Sequence, residues 1–162
     1  MSVVRDDPIR PDPGFAELYA NLPDATDLWP WLELARAATP PVLYLGIGAG
    51  RLAVPLATAG IPLVGVDSHP GMLERLRQRL PNTELIRSRI EDLDLGRHFS
   101  LVMVPSNLLE TVARLRHAAA HLAPAGLLAA ELTNPYWLRA GASAGVRVQS
   151  FDGNGADRKS VV

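Results

Sequence analysis

Three glycines at alternate positions, Gly46, Gly48 and Gly50, follow the apolar run Val42-Leu43-Tyr44-Leu45 and precede an apolar stretch with helical period. Glycine has no Cβ and tolerates positive φ, so such a loop lets backbone approach a ligand closely. A helix starting just beyond it presents unpaired N–H groups to whatever lies there. Sixteen residues separate Gly50 from Asp67, which ends the next apolar run and whose carboxylate can accept hydrogen bonds from both hydroxyls of a nucleoside ribose. Either feature alone has a plainer explanation. The glycines would suit a tight strand-to-helix turn, and Asp67 with Ser68 could cap the helix that Pro70 opens. Ordered on the first two strands, they together indicate a ligand at the carboxyl ends of adjacent strands, where open parallel sheets bind. A nicotinamide or flavin dinucleotide is disfavoured, because the G-x-G-x-x-G/A spacing from Gly46 would need a small residue where Arg51 stands.

The elements that must position these residues are legible as an alternation. Pro41–Leu45, Leu63–Val66, Glu84–Ile86, Leu101–Val104 and Leu127–Leu132 are short apolar runs bounded by Gly, Pro or polar residues, as strands buried on both faces should be. Between them, Met72, Leu73, Leu76 and Leu80 share one helical face, and Leu108, Val112, Leu115, Ala119 and Leu122 make a second stripe. Phe15–Ala20 and Asp27–Ala38 read as two helices that cover the sheet, with Trp29 and Trp31 as core or lid packing. The expected fold is α/β, a Rossmann-like doubly wound parallel sheet of about five strands. N-terminal covering helices precede it and a C-terminal hairpin follows.

Leu43 to Arg51, the helix end Leu56-Ala57-Thr58-Ala59-Gly60, and Leu63 to Leu73 together resemble the first two motifs of class I S-adenosylmethionine (SAM)-dependent methyltransferases. The similarity runs with decreasing specificity from about Phe15 to Trp137. By that resemblance Gly46, Gly48 and Gly50 would line the methionine part of SAM, Asp67 would bind the ribose, and Ser68 and Met72 would lie against the adenosine. The third-strand exit, Arg89-Ile90-Glu91-Asp92, would hold the adenine through Glu91 or the backbone of Ile90, and Val104 would also contact the cofactor. Two positions depart from the family. Tyr44 stands where an acid commonly anchors the amino group of SAM, and Arg89 aligns with the usual acidic adenine contact. The product of transfer would be S-adenosylhomocysteine (SAH).

Composition narrows the alternatives. With 16 basic and 17 acidic side chains, the formal net charge is −1, so no basic field recruits nucleic acid. There is no cysteine, which removes disulfides, thiolate metal sites and cysteine nucleophiles, and makes a cytoplasmic address the default. No apolar run approaches membrane-spanning length, and no membrane partner is expected. The richness in Ala, Leu, Arg and Pro suggests a bacterial genome of high GC content. Asn134-Pro135-Tyr136-Trp137 is similar to the signature of amino-methyltransferases acting on nucleic-acid or glutamine nitrogens, but that signature belongs after the fourth strand and here follows the fifth. It is read as a strand-ending turn, and Asn107 as a wall residue. His117 and His121 share a metal-ligand spacing without a third ligand, so they are read as surface histidines and no metal is expected. His69 and His98 fall in turns.

Residues 1–13 are expected as a flexible N-terminus, 14–137 as the SAM-binding methyltransferase domain, and 138–162 as a hairpin or poorly ordered tail. Val146–Phe151, the turn-rich Asp152–Gly155 and Lys159–Val162 carry the hairpin pattern. By the same resemblance a further helix and antiparallel pair would complete a seven-stranded sheet; they are expected to be missing, so the fifth strand is expected as an apolar edge and a homodimer through the C-terminal segment is expected. The reading is an O- or N-methyltransferase of a small molecule, of the natural-product type. Its alternatives are a truncated SAM-binding protein without transferase activity and, of lower weight, the same fold recruited to another reaction. No catalytic residue is assigned, since methyl transfer needs chiefly alignment.

Overall fold

The computed structural model describes residues 10–132 and, as backbone, 147–151 and 157–161. By its contacts the chain divides into a larger unit, Met1–Glu131, and a smaller one, Leu132–Val162. In the larger unit the order is α1 (Pro13–Ala20), α2 (Trp31–Ala37), β1 (Val42–Leu45), α3 (Ala53–Thr58), β2 (Leu63–Asp67), α4 (Pro70–Arg79), β3 (Glu84–Arg87), a 3₁₀ turn at Ile90–Asp92, β4 (Phe99–Val104), α5 (Val112–Ala119) and β5 (Leu122–Ala130). The smaller unit pairs β6 (Arg147–Phe151) antiparallel with β7 (Asp157–Val161), the expected hairpin. Asn134-Pro135-Tyr136-Trp137 and the small-residue stretch 140–145 lie outside the described residues.

The five strands of the larger unit are parallel in the order β3-β2-β1-β4-β5. The chain reverses direction across the sheet between β1 and its neighbour β4, and that switch point opens a crevice at the strands' carboxyl ends. Alternate side chains of β1 feed opposite layers, as a strand's two-residue period requires. Val42 and Tyr44 pack with Ala53, Leu56, Leu73 and Leu76 of α3 and α4, whereas Leu43 and Leu45 pack with Val64, Val66, Val102 and Ala118. Leu43, Leu45, Leu56, Leu76 and Leu101 are fully buried, each contributing about 1.5–3 kcal/mol by leaving water. Packing on both faces thus fixes β1 and β2, whose ends carry Gly46 and Asp67.

Several elements differ from the periodicity reading. The second stripe was extended from Leu108 to Leu122, yet α5 spans only Val112–Ala119. Thr111 caps it by accepting the Arg114 N–H, so the preceding segment becomes a loop. Leu122 belongs instead to β5, which begins five residues before the expected run and pairs Leu122 with Phe99 before a register shift. The edge strands β3 and β5 are only partly buried, so the expectation of burial on both faces holds for β1, β2 and β4. α2 starts at Trp31 rather than Asp27, because Asp27 turns the chain by accepting the Trp29 N–H. Trp31 packs on the core, but Trp29 is 69% exposed and is no core residue. His121 is likewise buried rather than on the surface. Its Nδ1 bonds the His117 carbonyl and its Nε2 accepts the Leu95 N–H, so it ties the end of α5 to the loop before β4.

Candidate functional site

The glycine loop folds back onto the end of β2. The N–H groups of Gly46 and Ile47 both donate to the Val66 carbonyl, at 2.8 and 3.1 Å. Gly48 N–H donates to Asp67 Oδ2 at 2.8 Å, and the other carboxylate oxygen, Oδ1, accepts the His69 N–H at 2.8 Å. The N–H groups of Gly46, Ile47 and Gly48 are therefore spent inside the protein rather than aimed at a ligand. What the loop offers instead is space. Gly46 and Gly48 have φ of +74° and +57°, which strains any other L-residue. A Cβ on Gly48 would stand 3.4 Å from the Met72 sulfur and 3.9 Å from the Tyr19 ring. Gly50 (φ +95°) serves packing, since its missing Cβ leaves room for Leu76 Cδ1 at 2.5 Å.

A cleft of about 630 Å³ opens here, within the range of small-molecule sites. Eight of the ten residues singled out in the sequence line it: Tyr44, Gly46, Gly48, Asp67, Ser68, Met72, Ile90 and Glu91. Gly50 and Val104 do not. Asn107 also reaches the wall, as expected. Asp67 lines the cleft, and its two carboxylate oxygens are each fixed by a backbone N–H.

At the end formed by β3 and α5, Glu91 is held by two arginines. Arg114 Nε donates to Glu91 Oε1 at 2.7 Å while its Nη1 donates to the Leu108 carbonyl, and Arg89 Nη2 approaches Glu91 at 3.5 Å. Burial alone would raise the Glu91 carboxyl. The hydrogen bond from Arg114 and the charges of Arg114 and Arg89 outweigh it and hold the group below its ordinary range. Through the Leu108 carbonyl the same arginine fixes the β4–α5 loop, which lays Leu108 against Gly46.

The opposite end is built by α1, α2 and the turn after Gly50. Phe15, Tyr19, Trp31 and Asp27 line it together with Tyr44 and Arg51. Burial pushes the Tyr44 phenol far above its ordinary value, with Tyr19, Asp67 and Glu131 adding to the effect and Arg51 opposing it, so the hydroxyl stays protonated. His69 joins α1 to the loop. Its Nε2 donates to the Asp12 carbonyl at 3.1 Å, and its buried Nδ1 has no partner among the described residues. The sequence gives Arg114, Leu108, Arg51 and His69 no role in the site. The first two carry no local signal, since Arg114 meets Glu91 across 23 residues.

Among the described residues no cluster of three His, Cys, Asp or Glu is placed to hold a metal ion, and no helix is long and apolar enough to cross a membrane.

A methyltransferase domain profile matches residues 42–126. Uncharacterized methyltransferases of Mycobacterium bovis and Mycobacterium tuberculosis are 40% identical over 73 residues, which is 45% of this chain and 28% of theirs. The CcbJ methyltransferase of Streptomyces caelestis superposes with a TM-score of 0.60 at 29% identity, over 83% of this chain and 58% of that one. SAM-bound CalS10, an amino pentose methyltransferase of Micromonospora echinaspora, gives 0.55 at 30% identity, over 76% and 52%. The aligned segment thus spans little more than a quarter of the mycobacterial proteins and just over half of the two solved chains.

Two outcomes follow from the geometry without any ligand. Asp67→Asn replaces an acceptor oxygen by an NH₂ that faces an N–H donor, so urea unfolding should show a loss of about 1–3 kcal/mol. Unchanged stability would mean that the carboxylate does not brace the loop. Because the Glu91 carboxyl is depressed below 4.5, its stabilising contribution is complete above the ordinary carboxylate range and lost as pH falls through the depressed value. The stability gap between wild type and Arg114→Gln should therefore be open at neutral pH and close as pH falls below the ordinary carboxylate range. A gap independent of pH would contradict the pairing.

Proposed function

This chain belongs to the methyltransferase domain family, and from that premise we propose that its cleft holds SAM and that it serves methyl transfer to a small molecule. The observation that carries the reading is Asp67. A carboxylate at the end of β2, fixed by two backbone donors and lining a cleft beside paired glycines, fits the two hydroxyls of a ribose. Gly46 and Gly48 would then lie along the methionine part, Ser68 and Met72 against the nucleoside, and Ile90 and Glu91 at the adenine. Gly50 would act one step removed, by seating α4, and Val104 by ending β4 beneath the site. SAM supplies an electrophilic methyl on a sulfonium. The chain's own part is to orient that end and exclude water, for which the described residues offer packing rather than an evident base.

The acceptor is proposed to be an amine of a small polar molecule, such as an amino sugar. Support comes from the amino pentose methyltransferase CalS10 at 30% identity, and from the wall of Phe15, Tyr19 and Trp31, which suits a flat or ring-shaped acceptor. The family match and these neighbours favour a transferase over a binding-only protein. A homodimer is also proposed. β5 ends the sheet among the described residues, and its Leu127 is 49% exposed, an apolar edge that a second copy would cover.

Calorimetry with purified protein should show SAM and SAH binding at one site. Gly48→Leu should abolish the heat by occlusion, and Asp67→Ala should weaken binding by about 1–3 kcal/mol. No heat with either ligand would overturn the cofactor assignment. Labelled SAM with a panel of amino sugars should give labelled product, and label appearing in nucleic acid instead would contradict the acceptor class. Light scattering after size exclusion should give twice the 17.5 kDa chain mass, and a stable monomer would remove the dimer.

A further inference from the structure

Three arginines line the cleft, and two of them are neutralised. Arg89 faces Glu91 and Asp92, and Arg114 faces Glu91 and Glu110. Arg51 has no carboxylate partner among the described residues. It is nevertheless held in place from two sides. Its carbonyl accepts the Ala25 N–H at 2.8 Å, and its Nε donates to the Pro23 carbonyl at 2.8 Å. That leaves the terminal nitrogens of the guanidinium without a hydrogen-bond partner among the described residues, on a cation whose position is fixed before any ligand arrives. The segment that fixes it is itself pinned, because Arg79 bridges Asp24 at 2.6 Å and donates to the Ala49 carbonyl.

Tyr44 belongs to the same end. It is 4% exposed, lines the cleft, and its hydroxyl has no hydrogen-bond partner among the described residues. Arg51 lines the same cleft, so the two groups face a common space. A protonated phenol presents an O–H donor, and a guanidinium presents only donors. Together they offer donors to an anion, and the guanidinium repels an ammonium.

We propose that Arg51 and Tyr44 seat the carboxylate of the cofactor's amino-acid end, so that this chain grips that end by its anion, at the place where the family resemblance would put an acid on its ammonium. The proposal rests on the reading of the cleft as a SAM site. It accounts for Tyr44 at the end of β1: an aspartate there would compete with the ligand carboxylate for Arg51, whereas a phenol adds a second donor. It also gives the clamp on the 23–25 segment a function, since holding Arg51 still removes the ordering cost of a long side chain at the moment of binding.

The test compares three ligands by calorimetry on the full chain: SAM, decarboxylated SAM, which lacks only the carboxylate, and 5′-methylthioadenosine, which lacks the whole amino-acid end. Wild type should bind SAM about tenfold to a hundredfold more tightly than decarboxylated SAM, the size of one or two charge-assisted hydrogen bonds. Arg51→Gln should lose that preference while binding 5′-methylthioadenosine as wild type does, which also shows that the variant is folded. Tyr44→Phe should lose part of it in the same pattern. Equal affinity of wild type for SAM and decarboxylated SAM would overturn the proposal. So would an Arg51→Gln variant with unchanged SAM affinity, the result expected if the arginine served an acceptor's carboxylate instead. Failure of both SAM and 5′-methylthioadenosine to bind wild type would overturn the cofactor reading itself, a different outcome from either.

Discussion

The bridge from Asp67 to the backbone of Gly48 and His69 is the constraint on which the site depends. It joins the end of β2, the loop after β1 and the first residue before α4 through one carboxylate, with both bonds at 2.8 Å. Hydrogen bonds to a charged acceptor are worth about 1.5–3 kcal/mol each, so the bridge is strong enough to set the loop's shape. The loop could not take that shape with side chains, because Gly46 and Gly48 sit at positive φ. Leucine and valine layers on both faces of the sheet fix the strands, and the strands fix the carboxylate. On the proposed reading, the loop is thus arranged before a ligand arrives, and little ordering remains to oppose binding.

Electrostatics divides the cleft into two ends. Near α5, Arg89 and Arg114 converge on Glu91, and the region is close to neutral and braced. Near α1 and α2, Arg51 and the protonated phenol of Tyr44 line the cleft together with Phe15, Tyr19 and Trp31. A zwitterionic, nucleoside-bearing ligand has matching asymmetry. His69 connects this end to the covering helix through the Asp12 carbonyl, so the wall that would meet an acceptor is tied to the residues that would hold the cofactor.

The fold was legible where periodicity and punctuation agree. β1, β2 and β4 are central strands, apolar on both sides, and their runs end at Gly46, Asp67 and Pro105. α5 and β5 were misplaced because Leu108 to Leu122 satisfies a helical stripe although Thr111 caps late and Leu122 is drawn into pairing with Phe99. A one-dimensional pattern does not contain that competition. The site was legible as far as its residues are adjacent in sequence. Gly46, Gly48 and Asp67 follow one another in a short span with known chemistry, whereas the Arg114–Glu91 pair and the Asp12–His69 bond span 23 and 57 residues and exist only through the fold. Arg51 was visible, but only as a residue too long for a dinucleotide fingerprint. Its lack of an acidic partner is a property of three-dimensional placement.

The family match covers the segment from β1 into β5, so the chain holds the part of the fold that would bind the nucleoside, while the relatives it matches are longer. Asp67 is proposed to do two things at once, bracing the loop through the Gly48 and His69 N–H groups and receiving a ribose. A crystal structure with SAH is the direct test. The account predicts both ribose hydroxyls within hydrogen-bond distance of the Asp67 carboxylate while the Gly48 and His69 N–H bonds persist. A nucleoside bound elsewhere, or an Asp67 that releases the loop to reach it, would contradict the account.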